Sequence, residues 1–198
     1  MADLQGPKIR IGEVVQERHL KKNEKISLTT NLSIVNKKDI LKINYHSFAK
    51  DVKIGDKVLI DDGKIILKVV SSDRKKHVEL KVIQEGVLKS RKGVNLPNTK
   101  ISQPALTEKD IKDAIFALNC SFDWIALSFV RSKKDVLELK ELIAQNCNHH
   151  VPIISKIEKP EAIKNMDEII KVSNGVMVAR GDLGIEIPAE EVLSLIHI

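Results

Sequence analysis

Apolar positions along this 198-residue chain change their period near residue 100. Before that point, short runs rich in β-branched residues alternate with charge. Lys25–Thr29, Lys57–Ile60, Lys64–Val70 and His77–Ile83 read as strands on this pattern. Asp61-Asp62-Gly63 separates two of them and is predicted to be a tight turn, because Asp-Gly tolerates positive φ. Residues from about 8 to 100 therefore read as a small all-β module.

After residue 100 the pattern alternates between helix and strand. Thr107 can cap a helix whose first turn is acidic and whose apolar positions are Ile111, Ala114, Ile115 and Leu118. Trp124–Phe129 reads as a buried strand, with Trp124 in the core. Ser132–Asn146 is a second amphipathic helix, its apolar face made by Val136, Leu139, Leu142 and Ile143. Val151–Lys156 is the next strand. Pro160 suits the first turn of a third helix lined by Ile163, Met166, Ile169 and Ile170. Gly175–Ala179 is a further strand, and Pro188–Val192 opens a last helix. His149 and His150 are expected to satisfy carbonyls at the end of the second helix. Continuous apolar strands alternating with helices predict a parallel sheet covered on both faces. Periodicity fits an open sheet and a (β/α)8 barrel equally.

Chemistry concentrates where apolar runs end in charge. In a strand, residues i and i+2 share a face, so Lys156 and Glu158 project together. Asp182 ends the next apolar run. In parallel α/β sheets functional groups gather at the carboxyl ends of strands. Ser128 occupies such an end too, and so does Asp3 if residues before Met1 form a strand. An ammonium with two carboxylates suits a hard divalent cation beside a phosphate. The plainer alternatives are an ion pair at a strand end for Lys156 and Glu158, and helix N-terminal acids for Glu158 and Asp182.

Net charge is +6 but unevenly spread. Residues 1–100 hold 22 Lys+Arg against 12 Asp+Glu, and the remainder 11 against 15. Scattered lysines with only Tyr45 and Phe48 as aromatics do not make a single-strand nucleic-acid platform. A basic module that attracts nucleotide phosphates accounts for the same charge. No apolar run reaches the ~18 residues of a membrane span. Cys120 and Cys147 lack metal-ligand spacing and fit a reducing compartment, so a cytoplasmic location is expected.

Four runs carry a family resemblance: Asp3-Leu4-Gln5-Gly6-Pro7-Lys8-Ile9-Arg10, Lys92-Gly93-Val94-Asn95-Leu96-Pro97, Ile154-Ser155-Lys156-Ile157-Glu158, and Val176 through Glu186. In this order they closely resemble the pyruvate kinase family, from Asp3 to about Val192. The resemblance implies an α/β fold, a partial (β/α)8 TIM barrel with an inserted small β-barrel lid domain. Residues 1–7 would be the end of barrel strand 3, 8–100 the lid, and 101–192 the barrel segment from helix 3 to strand 6 and the following turn. The chain would then be a fragment, with a further substrate arginine and two potassium ligands before Met1. A threonine near the transferred proton would follow Ile198. The implied reaction moves phosphoryl from phosphoenolpyruvate to ADP, giving pyruvate and ATP, with Mg²⁺ (or Mn²⁺) and K⁺.

Carried over residue by residue, Lys156 resembles the lysine that stabilises the transferring phosphoryl group. Glu158 and Asp182 resemble the divalent-metal ligands, and the amides of Gly181 and Asp182 the site for the substrate carboxylate. Asp3 and the Leu4 carbonyl resemble potassium ligands. Arg10 and Lys92 resemble nucleotide contacts, with Asp62 as an additional candidate. The family implies a cytoplasmic homotetramer without nucleic-acid or membrane partners. Two other readings remain: a nucleotide- or nucleic-acid-binding β-module without catalysis, and a different metal-dependent, enolate-handling barrel enzyme. Leu193–Ile198 reads like the conceptual translation of a sequencing-library adapter and is expected to be non-native.

Overall fold

The computed structural model describes residues 1–31, 33–34, 39–97 and 99–197, and of 189, 196 and 197 the backbone alone. Ile198, the end of the segment expected to be non-native, lies outside the described residues. The chain forms two compact units, one of residues 1–7 with 104–198 and one of residues 8–103. β1 (Ala2–Asp3) opens the first unit. The second unit contributes β2 (Arg18–Leu20), β3 (Lys25–Thr29), β4 (Ile40–Lys42), α1 (Phe48–Asp51), β5 (Lys57–Ile60), β6 (Ile65–Ser72), β7 (His77–Gln84), β8 (Gly86–Leu88) and β9 (Val94–Asn95). The first unit then resumes with α2 (Glu108–Asn119), β10 (Ile125–Leu127), α3 (Lys133–Asn146), β11 (Ile153–Ile157), α4 (Pro160–Lys164), α5 (Met166–Val172), β12 (Gly175–Val178), α6 (Arg180–Glu186) and α7 (Ala189–His197).

In the second unit six strands pair in the order β4-β3-β7-β6-β5-β9, and β2 pairs with β8 separately. The two edges of the six-stranded sheet are joined by one short strap. Arg10 bridges Gly93 beside β9, and Ile11 bridges Ile43 beside β4. The Ile11 N–H donates to the Lys92 carbonyl at 3.0 Å, and the Gly12 N–H to the Lys42 carbonyl at 2.8 Å. The sheet thus closes on itself, and neither edge is left as a template for pairing. Leu20, Leu28, Phe48, Ile60, Leu67 and Leu80 are buried inside it. The turn at Asp61-Asp62-Gly63 has φ of 54°, 56° and 84°, the left-handed geometry the sequence called for.

The all-β expectation needs one correction, the helical turn α1. Phe48 and Ala49 are both fully buried there. Arg74 Nη1 donates to the carbonyls of Lys50 (2.7 Å) and Val52 (3.1 Å), which satisfies the end of so short a helix. A window of four residues gives periodicity too little length to register.

In the first unit β1-β10-β11-β12 form one four-stranded sheet, every pair parallel. Asp3 pairs with Ala126, Leu127 with Ser155, and Lys156 with Met177. Among the described strands this sheet is open. Helices cover it through Leu118, Val136, Leu139 and Ile169. The Thr107 side chain accepts the Asp110 N–H while Asp110 accepts the Thr107 N–H, a capping box worth ~1 kcal/mol. Asp135 closes the equivalent box with Ser132 at the start of α3.

Four expectations change here. The strand at Trp124–Phe129 shrinks to Ile125–Leu127, and Trp124 is 38% exposed instead of core. The backbone turns away after Leu127, with Phe129 at φ 55°. The single third helix is two, α4 and α5, broken at Asn165, whose side-chain amide donates to the Arg131 carbonyl at 2.8 Å. His149 and His150 do not cap α3. Its last carbonyls take the Asn146 side-chain amide and the Cys147 N–H, while His149 lies against Cys147 Sγ and His150 against Asn174.

Candidate functional site

Lys156 is the penultimate residue of β11, and Glu158 follows the strand end. Their i, i+2 relation puts the two groups together, with Nζ 3.2 Å from Glu158 Oε1. The Lys156 ammonium also donates to Ser128 Oγ at 2.9 Å and to the Asp3 carboxylate at 3.1 and 3.3 Å. Three N–H donors are thereby directed at three oxygen-bearing side chains from three neighbouring parallel strands. Glu158 is 1% exposed, and its second oxygen accepts the Phe129 N–H at 3.0 Å.

Electrostatics divide the pair. Burial alone would lower the Lys156 pKa, but Glu158 and then Asp3 outweigh it and hold the ammonium above its ordinary value. Burial pushes the Glu158 carboxyl up. Lys156 and the Phe129 N–H oppose that, and the charge of Asp182 adds to it. The lysine is therefore securely charged. Glu158 is a desolvated carboxyl whose anion gains from further positive charge.

Asp182 sits half-buried in the first turn of α6, near enough for Glu158 to feel its charge. The N-cap of α6, Ala179, supplies no side-chain cap. A Cβ at Gly181 or Gly184 would meet nothing within 4 Å, so the chain borders open space at both. Asp3 is exposed on its outer side, and the Leu4 N–H is taken by the Ala126 carbonyl at 3.0 Å while its side chain is buried.

Arg10 and Lys92 lie in the second unit on neighbouring segments, Arg10 exposed in the closing strap and Lys92 opposite it. Lys92 Nζ is 2.9 Å from Asp61 Oδ1, and Lys64 holds the other Asp61 oxygen at 3.2 Å. The hydrogen bond from Lys92 is the main cause holding the Asp61 carboxyl below the usual carboxylate range. Asp62 is exposed at the same turn.

Several functional-looking groups escaped sequence reasoning. Phe129 contributes a backbone donor, which no residue type announces. Lys159 and Glu186 form a buried ion pair at 2.6 Å, 27 positions apart in sequence. Asp110, fully buried, accepts the Gly6 N–H at 3.0 Å and so fixes the chain just past Asp3. A charged residue inside an apolar run, as at Glu186 between Ile185 and Ile187, was the one available signal.

A hard cation suits the donors present: Glu158 and Asp182 offer only oxygen, and burial still outweighs the Lys156 charge at Glu158. Among the described residues no group of three or more His, Cys, Asp or Glu side chains could hold a metal ion unaided. Two carboxylates would leave most of the coordination sphere to water or substrate, as is usual for magnesium.

The class is set by a parallel α/β sheet that carries an ammonium and carboxylates at the carboxyl ends of its strands. A family model described as "Pyruvate kinase, barrel domain" matches residues 1–197. The chain is 44% identical over 193 residues to the pyruvate kinase of Mycobacterium tuberculosis, covering 97% of this chain and 40% of that protein. It is 46% identical over 193 residues to the pyruvate kinase of Corynebacterium glutamicum, with the same coverage. Against the pyruvate kinase of Geobacillus stearothermophilus it is 41% identical over 194 residues, covering 97% of this chain and 33% of that protein. The chain belongs to the pyruvate kinase family, and it spans 33% to 40% of the length of these relatives.

Proposed function

We propose that these residues are the phosphoryl- and metal-handling part of a pyruvate kinase that moves phosphoryl from phosphoenolpyruvate to ADP. Residues 1–7 and 101–192 would belong to a (β/α)8 barrel, 8–100 to a lid domain, and 193–198 to non-native sequence. The carrying observation is the Lys156 ammonium, held 2.9 to 3.3 Å from Ser128, Asp3 and Glu158 at the ends of parallel strands.

Phosphoryl transfer develops negative charge on the migrating group's oxygens. Lys156 is a compact, pre-positioned positive charge for those oxygens. In the chain alone, Glu158 and Asp3 hold its pKa above the ordinary lysine value. Glu158 and Asp182 would hold Mg²⁺ or Mn²⁺, which supplies charge neutralisation at the substrate's oxygens when bound. Amides of Gly181 and Asp182 would receive the substrate carboxylate, since backbone N–H groups at a helix start favour anions. Asp3 and the Leu4 carbonyl would contribute to a K⁺ site, and Arg10 and Lys92 to ADP binding. A phosphate oxygen at Lys92 would compete with Asp61 for the ammonium. The parent enzyme would be a cytoplasmic homotetramer. No described helix is long and apolar enough to cross a membrane.

The test is a coupled assay of pyruvate formation on the full-length protein containing this chain, with phosphoenolpyruvate, ADP, Mg²⁺ and K⁺. Activity is expected, and Lys156→Met should lower turnover ~100-fold or more. Near-normal turnover in that variant would remove Lys156 from the mechanism. Salt-sensitive polynucleotide binding without metal-dependent turnover would favour the non-catalytic β-module instead.

A further inference from the structure

We propose that the buried Lys159–Glu186 ion pair is a positioning strut that fixes Glu158 relative to Asp182 and thereby sets the affinity of this site for a divalent cation. The inference rests on the metal reading of those two carboxylates given above.

Lys159 directly follows Glu158, and Pro160 follows Lys159. A residue before proline is driven to extended backbone, and Lys159 has φ −130° and ψ 146°. In extended chain, successive side chains diverge. Glu158 goes to Lys156 and the Phe129 N–H, while Lys159 reaches α6. There it meets Glu186, the last residue of α6, with Nζ 2.6 Å from Oε1. Glu186 lies four positions after Asp182, so both project from one side of the same short helix. The Lys159 ammonium also stands 6.0 Å from the centroid of the Phe129 ring, whose own N–H holds Glu158. One cation therefore braces the segment carrying Glu158 and the helix carrying Asp182.

Stability does not explain such a pair. The side chains are 8% and 1% exposed, and removing two charges from water costs about what their attraction returns. Apolar residues of similar volume would hold the two segments together equally well. They would not define one distance. An ion pair with a single short contact does, and supporting groups around metal ligands commonly tune affinity through that precision.

The experiment titrates Mn²⁺ into the full-length protein containing this chain and follows free Mn²⁺ by electron paramagnetic resonance, with a thermal melt on each variant. Lys159→Met and Glu186→Gln are expected to weaken Mn²⁺ binding ~10- to 100-fold. The double variant Lys159→Met with Glu186→Leu should recover a melting temperature near wild type while its Mn²⁺ affinity stays low. Wild-type affinity in that double variant would overturn the strut, as would affinities that simply track melting temperature across the set. Glu158→Gln separates the two layers of the argument. If it loses Mn²⁺ while the Lys159 and Glu186 variants keep it, the strut alone fails. If Glu158→Gln binds like wild type, the metal reading fails and the strut with it.

Discussion

The two units differ at the edges of their sheets. In residues 8–103 the strap at Arg10 and Ile11 ties β9 to β4 and no edge of the six-stranded sheet remains. In the other unit β1 and β12 are the edges among the described strands of a chain that spans 33% to 40% of its relatives' length, and Val176 and Met177 on β12 are 44% and 37% exposed there. Closure lets a sheet satisfy its backbone and bury its apolar face without help. The other unit gathers its unusual groups near the carboxyl ends of its strands, with charge on half-buried Lys156 and on buried Glu158, Lys159 and Glu186. In the closed unit the pairs Arg91 with Glu13 and Lys89 with Glu17 are exposed and contribute little to stability, while Arg18 with Glu24 is part-buried. Both units pack an apolar core, and the first also accepts desolvated charge to make a site.

That contrast can be broken from either side. Phe48→Ala empties a fully buried ring position in the closed unit and should cost ~3–5 kcal/mol in urea unfolding. A loss under ~1 kcal/mol would show that closure does not make that unit depend on its core. Gly6→Ala tests the open unit. Gly6 has φ 68°, and a Cβ there would lie 2.6 Å from Phe129 Cδ2. The ring must shift, at ~1–3 kcal/mol by the same measurement, and the Phe129 N–H should release Glu158. Thr107→Ala removes half of a capping box and should cost ~1 kcal/mol.

The smallest effect is a pH dependence in the closed unit. Asp73 Oδ1 accepts the N–H groups of Lys75, Lys76 and His77 at 2.8, 2.8 and 2.9 Å, which organises the turn between β6 and β7. These bonds, first that of His77, hold its carboxyl below the ordinary value. A depressed folded-state pKa means the stabilisation is present above the unfolded pKa of ~3.9. It disappears as pH falls through the folded value. Because Asp73 is exposed, solvent screening keeps the effect under ~1 kcal/mol. The melting-temperature gap between wild type and Asp73→Asn should be present at pH 6 and shrink steadily as pH is lowered below ~3.9. A gap unchanged by acidification would mean the charge is not what the turn uses.

The periods of 2 and 3.6 made most elements readable, because apolar burial dictates them: Lys25–Thr29 and the α3 face of Val136, Leu139 and Ile143 follow the pattern directly. The meeting of Lys156 with Glu158 was also readable, since strand alternation alone puts them side by side. What periodicity could not carry was any relation that depends on turning. Trp124 looked like core because apolarity was taken as burial, yet the strand begins only after it. The break at Asn165 depends on a hydrogen bond to Arg131, 34 positions away. Lys159 and Glu186 are 27 positions apart, and only folded geometry brings them into contact. Closure of the second unit by Arg10 and Ile11 likewise rests on backbone bonds that no side chain encodes.

One consequence belongs to Phe129. Its amide reaches Glu158 because the backbone there is left-handed, at φ 55°. Since the donor is main chain, exchanging the ring for any residue but proline leaves it in place, and alanine scanning passes over it. Isotope exchange does not: deuterium uptake at that one amide reports whether the carboxylate is still seated, giving the site a built-in gauge that needs no substrate.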